Sequence, residues 1–238
     1  MEMLKIAVIN NSGNVGKSTI CDTLLRPRIT NAEIIKIETI NSDGTDDETL
    51  SASNLLKVQE KIDLTDIAII DVGASNIEMF IENMQKSEGS HEDIDFFVIP
   101  TTPQNKQQVD TLATIKTLIY MGVPTDCIRV IFNMVEENLS IEDQFQTILS
   151  DPIAKQLGIN KQENQAVIPH NPVFDLMNTV GMKFDDLLND GRDFRQLMKD
   201  AKTSEKRSIL SVQRSGHRLA KGFNGKLDTA FSKLAVTE

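Results

Sequence analysis

The sequence predicts a doubly wound α/β domain on a mostly parallel sheet, followed by a C-terminal helical extension. Short runs dense in Ile, Val and Phe recur between segments of helical period, and the strand-like runs stop beyond Phe184. Near-continuous apolar runs mark strands covered on both faces, and parallel strands need helical crossovers between them. A βαβα alternation is the pattern of a doubly wound domain.

The first strand is expected over residues 4–10, where Leu4, Ile6, Ala7, Val8 and Ile9 fall almost consecutively. A glycine-containing loop and a helix over about 17–25 follow it. Further strands are expected over 33–38, 66–71, 96–100 and 128–133, with a short one over 166–169. Residues 105–121 carry the helical period through Val109, Leu112, Ile115, Leu118 and Ile119, and 141–157 carry it again. Residues 184–215 read as helix on Leu187, Leu188, Phe194, Leu197 and Met198, with Gly216, Gly222 and Gly225 punctuating what remains. The expected division is a domain over 1–182 and a helical, basic extension over 183–238.

With 39% hydrophobic and 25% charged residues, the 238-residue chain can bury a sizeable core. It has no Trp and one Tyr, so stacking platforms for single-stranded nucleic acid are poorly supplied. The net charge of −10 is uneven: from Lys199 onward nine Lys/Arg face four acids, leaving the tail at +5 and the body at −15. A basic tail on an acidic body raises the question of an anionic partner, against the plainer reading of a solvated helical face. Cys21 and Cys127 lie far apart without metal-like spacing, as do His91, His170 and His217. The cysteines read as small hydrophobes in a reducing compartment. No run approaches the roughly 20 apolar residues that cross a bilayer, and no secretion signal is seen, so a soluble, cytoplasmic chain is expected.

The stretch with most chemical content is Asn10-Asn11-Ser12-Gly13-Asn14-Val15-Gly16-Lys17-Ser18-Thr19, between the first strand and the first helix. A loop there can turn successive backbone N–H groups toward an anion, and the helix N-terminus adds a favourable dipole. Glycines allow unusual dihedrals and a close approach of phosphate to backbone. Lys17 supplies positive charge for β/γ-phosphates, and the Ser18 hydroxyl can ligate Mg²⁺. The match to the usual GxxxxGK[ST] pattern is incomplete, because Asn11 stands where its first glycine belongs. Asp71 ends the apolar run Ile67-Ala68-Ile69-Ile70, where an acid can reach the metal shell or cap the next helix. The wholly apolar strand before it favours the metal. Asn133 follows Val130-Ile131-Phe132, and its amide has the donor and acceptor that match an adenine edge, though alone it would be a turn residue.

Together these motifs resemble the ParA/MinD group of P-loop ATPases. Residues 13–19 resemble that group's KGGVGKTT loop, and Ile69-Ile70-Asp71-Val72-Gly73-Ala74-Ser75 resembles its Walker B strand. Ile99-Pro100-Thr101-Thr102-Pro103 resembles its next strand and turn, and Phe132-Asn133 and Ile168-Pro169-His170-Asn171 its adenine-side strand ends. The likeness runs from residue 3 to about 182. Within the group, the opening and the following Leu25-Arg26-Pro27-Arg28 are most similar to the StbB proteins of conjugative-plasmid stability operons, relatives of the TraL proteins. The resemblance implies ATP and Mg²⁺ as cofactors. Ser12, Gly13, Asn14, Val15, Gly16, Lys17, Ser18, Thr19, Asn133 and Pro169 would hold the nucleotide, Ser18 and Asp71 the metal, and Lys17, Asp71 and Glu38 would serve catalysis. It also implies a plasmid-encoded DNA-binding partner protein and a nucleotide-dependent homodimer, to which the basic tail adds non-specific DNA contact.

Two positions depart from that group. Its signature lysine early in the loop is Ser12 here, and its second strand's Asp-x-Asp becomes Glu38-Thr39-Ile40. Asp43, Asp46, Asp47 and Glu48 are candidates to take over the second acid's work. The leading expectation is an ATP-binding, weakly hydrolysing nucleotide switch in plasmid stability, partition or conjugative transfer. The alternatives are an adaptor that binds nucleotide without turnover, or a small-molecule kinase or synthetase of the same fold.

Overall fold

The computed structural model describes residues 3–38, 49–50, 55–87 and 89–237. Seven parallel strands form one sheet: β1 (Leu4–Val8), β2 (Glu33–Ile37), β3 (Thr49–Leu50), β4 (Ile67–Val72), β5 (Phe96–Thr101), β6 (Ile128–Val135) and β7 (Ala166–Pro169), in the order β3-β2-β4-β1-β5-β6-β7. From β1 the chain passes outward to β2 and β3 on one side, returns through β4 between β1 and β2, then crosses to β5, β6 and β7. Strand order therefore reverses at β1, and ligands of open α/β sheets bind at the carboxyl end of such a switch point. The two-residue β3 is absent from the sequence-based expectation; it pairs through Lys36 with Thr49 and Ile37 with Leu50, too short a run to carry a pattern.

The pleat divides the strands' apolar residues between two cores. Ala7, Ile9, Ile70, Phe97 and Ile99 face one layer, packed by α2 (Leu55–Leu64), α3 (Ile77–Lys86), α4 (Asn105–Tyr120) and α6 (Gln146–Ser150). Ile6, Val8, Ile69, Val98 and Ile131 face the other, packed by the helix after β1, by α8 (Val173–Val180) and α9 (Phe184–Leu188), and by α11 (Ser204–Leu234). Both faces are covered, as the unbroken apolar runs imply.

The crossover expected as one helix over 141–157 is three short ones: α5 (Ile141–Gln144), α6, and α7 (Ile153–Gln156). Phe145 breaks the first pair by turning fully inward, edge-on to Phe132 at 4.8 Å between ring centroids. Asp151-Pro152 breaks the second, since proline disfavours helix in the residue before it. On α4, Val109 is exposed rather than on the buried face, because a polar row turns inward beside the apolar one: Gln107, Gln108, Thr111 and Thr114 are all buried.

The largest difference lies in the C-terminal segment. Residues 184–215 are not one helix, and the three glycines do not punctuate. After α9 and α10 (Phe194–Asp200), α11 runs 31 residues from a Thr203 side-chain cap on Lys206 N, straight through Gly216, Gly222 and Gly225. Burial outweighs the glycines' poor helix propensity: Ala220, Phe223, Leu227, Ala230 and Leu234 pack into the same core as β1. Gly216 is a fit rather than a break, since a Cβ there would lie 2.8 Å from Leu176 and 3.0 Å from Leu187. Gly222 and Gly225 have open space around them. Gly222→Ala and Gly225→Ala should each stabilise the fold by about 0.5–1 kcal/mol, whereas Gly216→Val should destabilise it by about 1–3 kcal/mol. Urea unfolding of the three variants checks this; glycines that truly interrupted the helix would give the first two no gain.

Candidate functional site

Residues 9–16 leave the buried end of β1 and return as α1 (Lys17–Ile20), which continues as a π-helical turn (Cys21–Leu25). Asn10 carries the loop's first bend. It is wholly buried, and its side-chain amide donates to the Pro100 carbonyl at 2.8 Å and to Thr111 Oγ1 at 2.7 Å, while its Oδ1 accepts from Ser12 N at 2.8 Å. The polar row of α4 continues the brace: Thr114 Oγ1 accepts from Asn11 N, and Gln107 donates to the Gly13 carbonyl at 3.4 Å. Thr102 in turn donates to Gln107 Oε1.

The tip of the loop is open. Gly13 and Asn14 are exposed, as are Ser18 and Thr19, while Val15 anchors the turn in the core. Asn14 and Gly16 take left-handed backbone, with φ of 56° and 88°. At Gly16 a side chain is excluded twice over, by that dihedral and because a Cβ would come within 2.5 Å of Asn133 Nδ2. Gly16 is also the N-cap of α1, whose first turn holds no acid of its own, so its partial positive charge faces the loop.

Lys17 is buried, its Nζ resting on the carbonyls of Asn10 at 3.0 Å and Ser12 at 2.9 Å. Asp71 sits one strand over, paired in register with Val8 at the loop's foot. Neither the 3₁₀ turn (Ala74–Asn76) nor α3 after it takes a side-chain cap, so Asp71 caps no helix. Asp71 Oδ1 is buried with no hydrogen-bond partner. Burial lifts the Asp71 pKa above the usual carboxylate range, with Glu38 adding to the rise and Ser18 and Lys17 opposing it. Burial likewise draws Lys17 below an ordinary lysine, against the pull of Asp71. Glu38 itself is exposed, just beyond β2.

A buried carboxylate oxygen without a hydrogen bond costs on the order of 1–3 kcal/mol or more. A hydrated Mg²⁺ would relieve that cost. Magnesium takes hard oxygen donors, often one or two from protein with the rest from water and phosphate. The Ser18 hydroxyl and Asp71 carboxylate are donors of that kind.

On the far side of Gly16 lies a cavity of about 250 Å³, whose walls include Thr19, Thr23, Asn133, Pro169 and Phe174. Asn133 does not present a free amide to it: Nδ2 donates to the Val15 carbonyl at 2.9 Å, bolting β6 to the loop. A β-bulge directs this. The β6–β7 register slips between Asn133 and Val135, with Met134 at φ 56°, and bulges re-aim side chains in this way. Asn10, Gln107, Thr111 and Thr114 are the supporting residues that sequence reasoning missed; the signal was polar residues recurring at helical spacing on α4. Thr39, Ile40, Asp43, Asp46, Asp47 and Glu48 lie outside the described residues.

No protein-family model and no curated protein matches the sequence. Solved structures do match over most of the chain. A chain of the MinC:MinD cell division protein complex of Aquifex aeolicus is 13% identical, with 89% of this chain and 95% of that one covered at a TM-score of 0.51. The cell division ATPase MinD of Pyrococcus furiosus is 14% identical, over 90% and 99% at a TM-score of 0.50. The chain has the MinD-type P-loop fold. Apo McdA of Cyanothece shares it at 13% identity, over 90% and 99% with a TM-score of 0.50. At this identity the MinD-type likeness speaks for the fold alone. Among the described residues no helix is long and apolar enough to cross a membrane.

Removing the Asp71 charge separates a functional cost from a structural role. Because its pKa is raised in the folded chain, the ionised carboxylate disfavours folding, and that penalty grows as pH rises from the unfolded pKa to the folded one. Asp71→Asn should therefore raise the nucleotide-free melting temperature at pH 7 while abolishing any Mg²⁺-dependent gain in nucleotide affinity. A lower melting temperature would mark Asp71 as a structural group.

Proposed function

We propose that the chain is an ATP-binding nucleotide switch with weak hydrolysis, working in plasmid stability, partition or conjugative transfer. The observation that carries the nucleotide reading is the unpartnered Asp71 oxygen beside Lys17 and Ser18, buried at the foot of a loop whose amides and glycines suit phosphate. In this reading residues 12–19 cradle the phosphates, Lys17 balances their charge, and Ser18 and Asp71 hold Mg²⁺, which would polarise the phosphoryl oxygens. The base occupies the cavity beside Asn133 and Pro169, and Glu38 stands near the metal side as an acid available to order water. Binding would favour one conformation or a homodimer, and hydrolysis or release would reverse it.

The plasmid context rests on the resemblance of the opening residues to StbB and on the basic helix. Along α11 no acid stands between Glu205 and Asp228, while Lys206, Arg207, Arg214, Arg218, Lys221 and Lys226 do. Arg218 and Lys221 are exposed, and Arg207, Arg214, Arg218 and Lys221 recur at seven, four and three residues, along one face. This face is the proposed contact for DNA phosphates, alongside a plasmid-encoded DNA-binding partner protein.

A second reading, an adaptor that binds nucleotide without turnover, draws on Ser12. It is buried and offers no cation to a second subunit. A titration with ATP, ADP and GTP, with Mg²⁺ and with EDTA, read by binding, light scattering and phosphate release, separates the two. The switch requires Mg²⁺-dependent ATP binding with slow phosphate release, and the adaptor requires binding without release. Lys17→Ala should weaken ATP binding by about 1.5–3 kcal/mol, the scale of charge-assisted hydrogen bonds. Unchanged affinity in the folded variant would remove the phosphate site.

The DNA contact predicts a steep salt dependence, with a log–log slope near −0.9 per neutralised phosphate on duplex DNA. Reversing Arg214 and Arg218 to Glu should reduce binding to all sequences alike. Absence of binding at about 50 mM salt, with and without ATP, would assign the face to protein contacts.

A further inference from the structure

The C-terminal helix α11 reaches the base-side cavity by two routes that share no residue. The first runs through Arg28, in the 3₁₀ turn Arg26–Arg28 after the π-helical turn. Its Nε donates to Asp228 Oδ1 at 2.9 Å, and one terminal nitrogen donates to the carbonyls of Thr23 at 2.9 Å and Leu24 at 3.2 Å. The other terminal nitrogen meets Asn224 Oδ1 at 2.8 Å and Asp228 Oδ1 at 2.7 Å. All five donors of the guanidinium have acceptors, and the side chain is only 11% exposed. The carbonyls it takes are those a helix leaves unpaired at its C-terminal end. Thr23 lines the cavity, so Arg28 fixes one cavity wall to Asn224 and Asp228 of α11.

The second route is apolar. Phe223 of α11 meets Phe174 of α8 edge-on, with ring centroids 5.6 Å apart and planes at 89°. Phe174 is another wall of the cavity. About two turns earlier, Gly216 lets α11 close on Leu176 and Leu187 without a gap for a methyl group.

We propose that α11 senses the occupancy of this cavity, and that Arg28 is the positioning residue that links them. The inference rests on the reading of the cavity as the nucleotide's base site. A ligand that presses on Thr23 and Phe174 must move or stiffen the two side-chain systems that hold α11. Linkage is reciprocal, so anything that grips α11 changes nucleotide affinity by the same factor. A lysine at position 28 cannot do the same work, because a single ammonium lacks the planar fork that spans two carbonyls and a carboxylate.

Amide hydrogen exchange on the full chain, with and without saturating ATP and Mg²⁺, tests this. In the wild type ATP should slow exchange over 219–228 by about fivefold or more, the lower end of usual site-to-site couplings. Arg28→Lys and Asp228→Asn should lose most of that response, keep the ATP-induced slowing over 13–19, and bind ATP about fivefold more weakly. Asp228 is 58% exposed, so its variant serves if Arg28→Lys does not fold. A purely structural Arg28 would speed exchange in α11 equally with and without ATP, leaving the response intact, and that result overturns the proposal. So does a wild type in which ATP protects 13–19 but leaves 219–228 unchanged. If ATP alters no amide anywhere, the nucleotide reading itself fails and takes this inference with it.

Discussion

The site depends on how a buried strand hands its backbone to an exposed loop. Beyond β1 the chain must turn while its polar groups are still out of reach of water, and the Asn10 side chain meets that need. It accepts from Ser12 N and donates to β5 and to Thr111 of α4, while its own carbonyl accepts from Lys17. Buried polar groups left unpaired are costly, so these bonds hold loop, strand and helix in one arrangement. The incomplete glycine pattern is understandable on this footing. Asn11 can stand at the usual first glycine because the Asn10 amide and the Thr114 hydroxyl fix the loop there.

The same constraint shapes α4. A crossover helix in a doubly wound fold normally turns an apolar stripe to the sheet, but this one also buries Gln107, Gln108, Thr111 and Thr114. Two of them reach the loop region directly, through Gly13 and Asn11, and Thr111 reaches it through Asn10. Gln108 instead bonds the Gln144 and Pro103 carbonyls and receives Ile148 N. A fully satisfied polar layer rigidifies what it touches, and what it touches here is the candidate phosphate site.

Lys17 and Asp71 stand apart from that economy. Both are buried and both have pKa values displaced by burial, in opposite directions. Lysine is parked on carbonyls that a phosphate could replace, and aspartate keeps an oxygen that the protein leaves bare. Displacements of this kind cluster at functional sites, and they single out Lys17 and Asp71 as the candidate phosphate and metal contacts.

The sequence by itself determined six of the seven strands, their parallel sense and the place of the loop, and it marked Lys17 and Asp71 as candidates. Each is written locally: apolar runs of strand length, a glycine-lysine turn opening a helix, and an acid closing an apolar strand. Tertiary structure decided what depends on distant partners. Gly216, Gly222 and Gly225 look like breaks in sequence, yet α11 passes through them because burial of Ala220, Phe223 and Leu227 against the sheet outweighs their propensity. Asn133 looks like a free amide at a strand end, but a bulge at Met134 turns it onto Val15, more than a hundred residues away in sequence. Nothing local pairs Arg28 with Asn224 and Asp228, and only folding brings them to it. Local pattern fixes which elements form. Which polar group meets which is a matter of packing, and packing is a property of the whole chain.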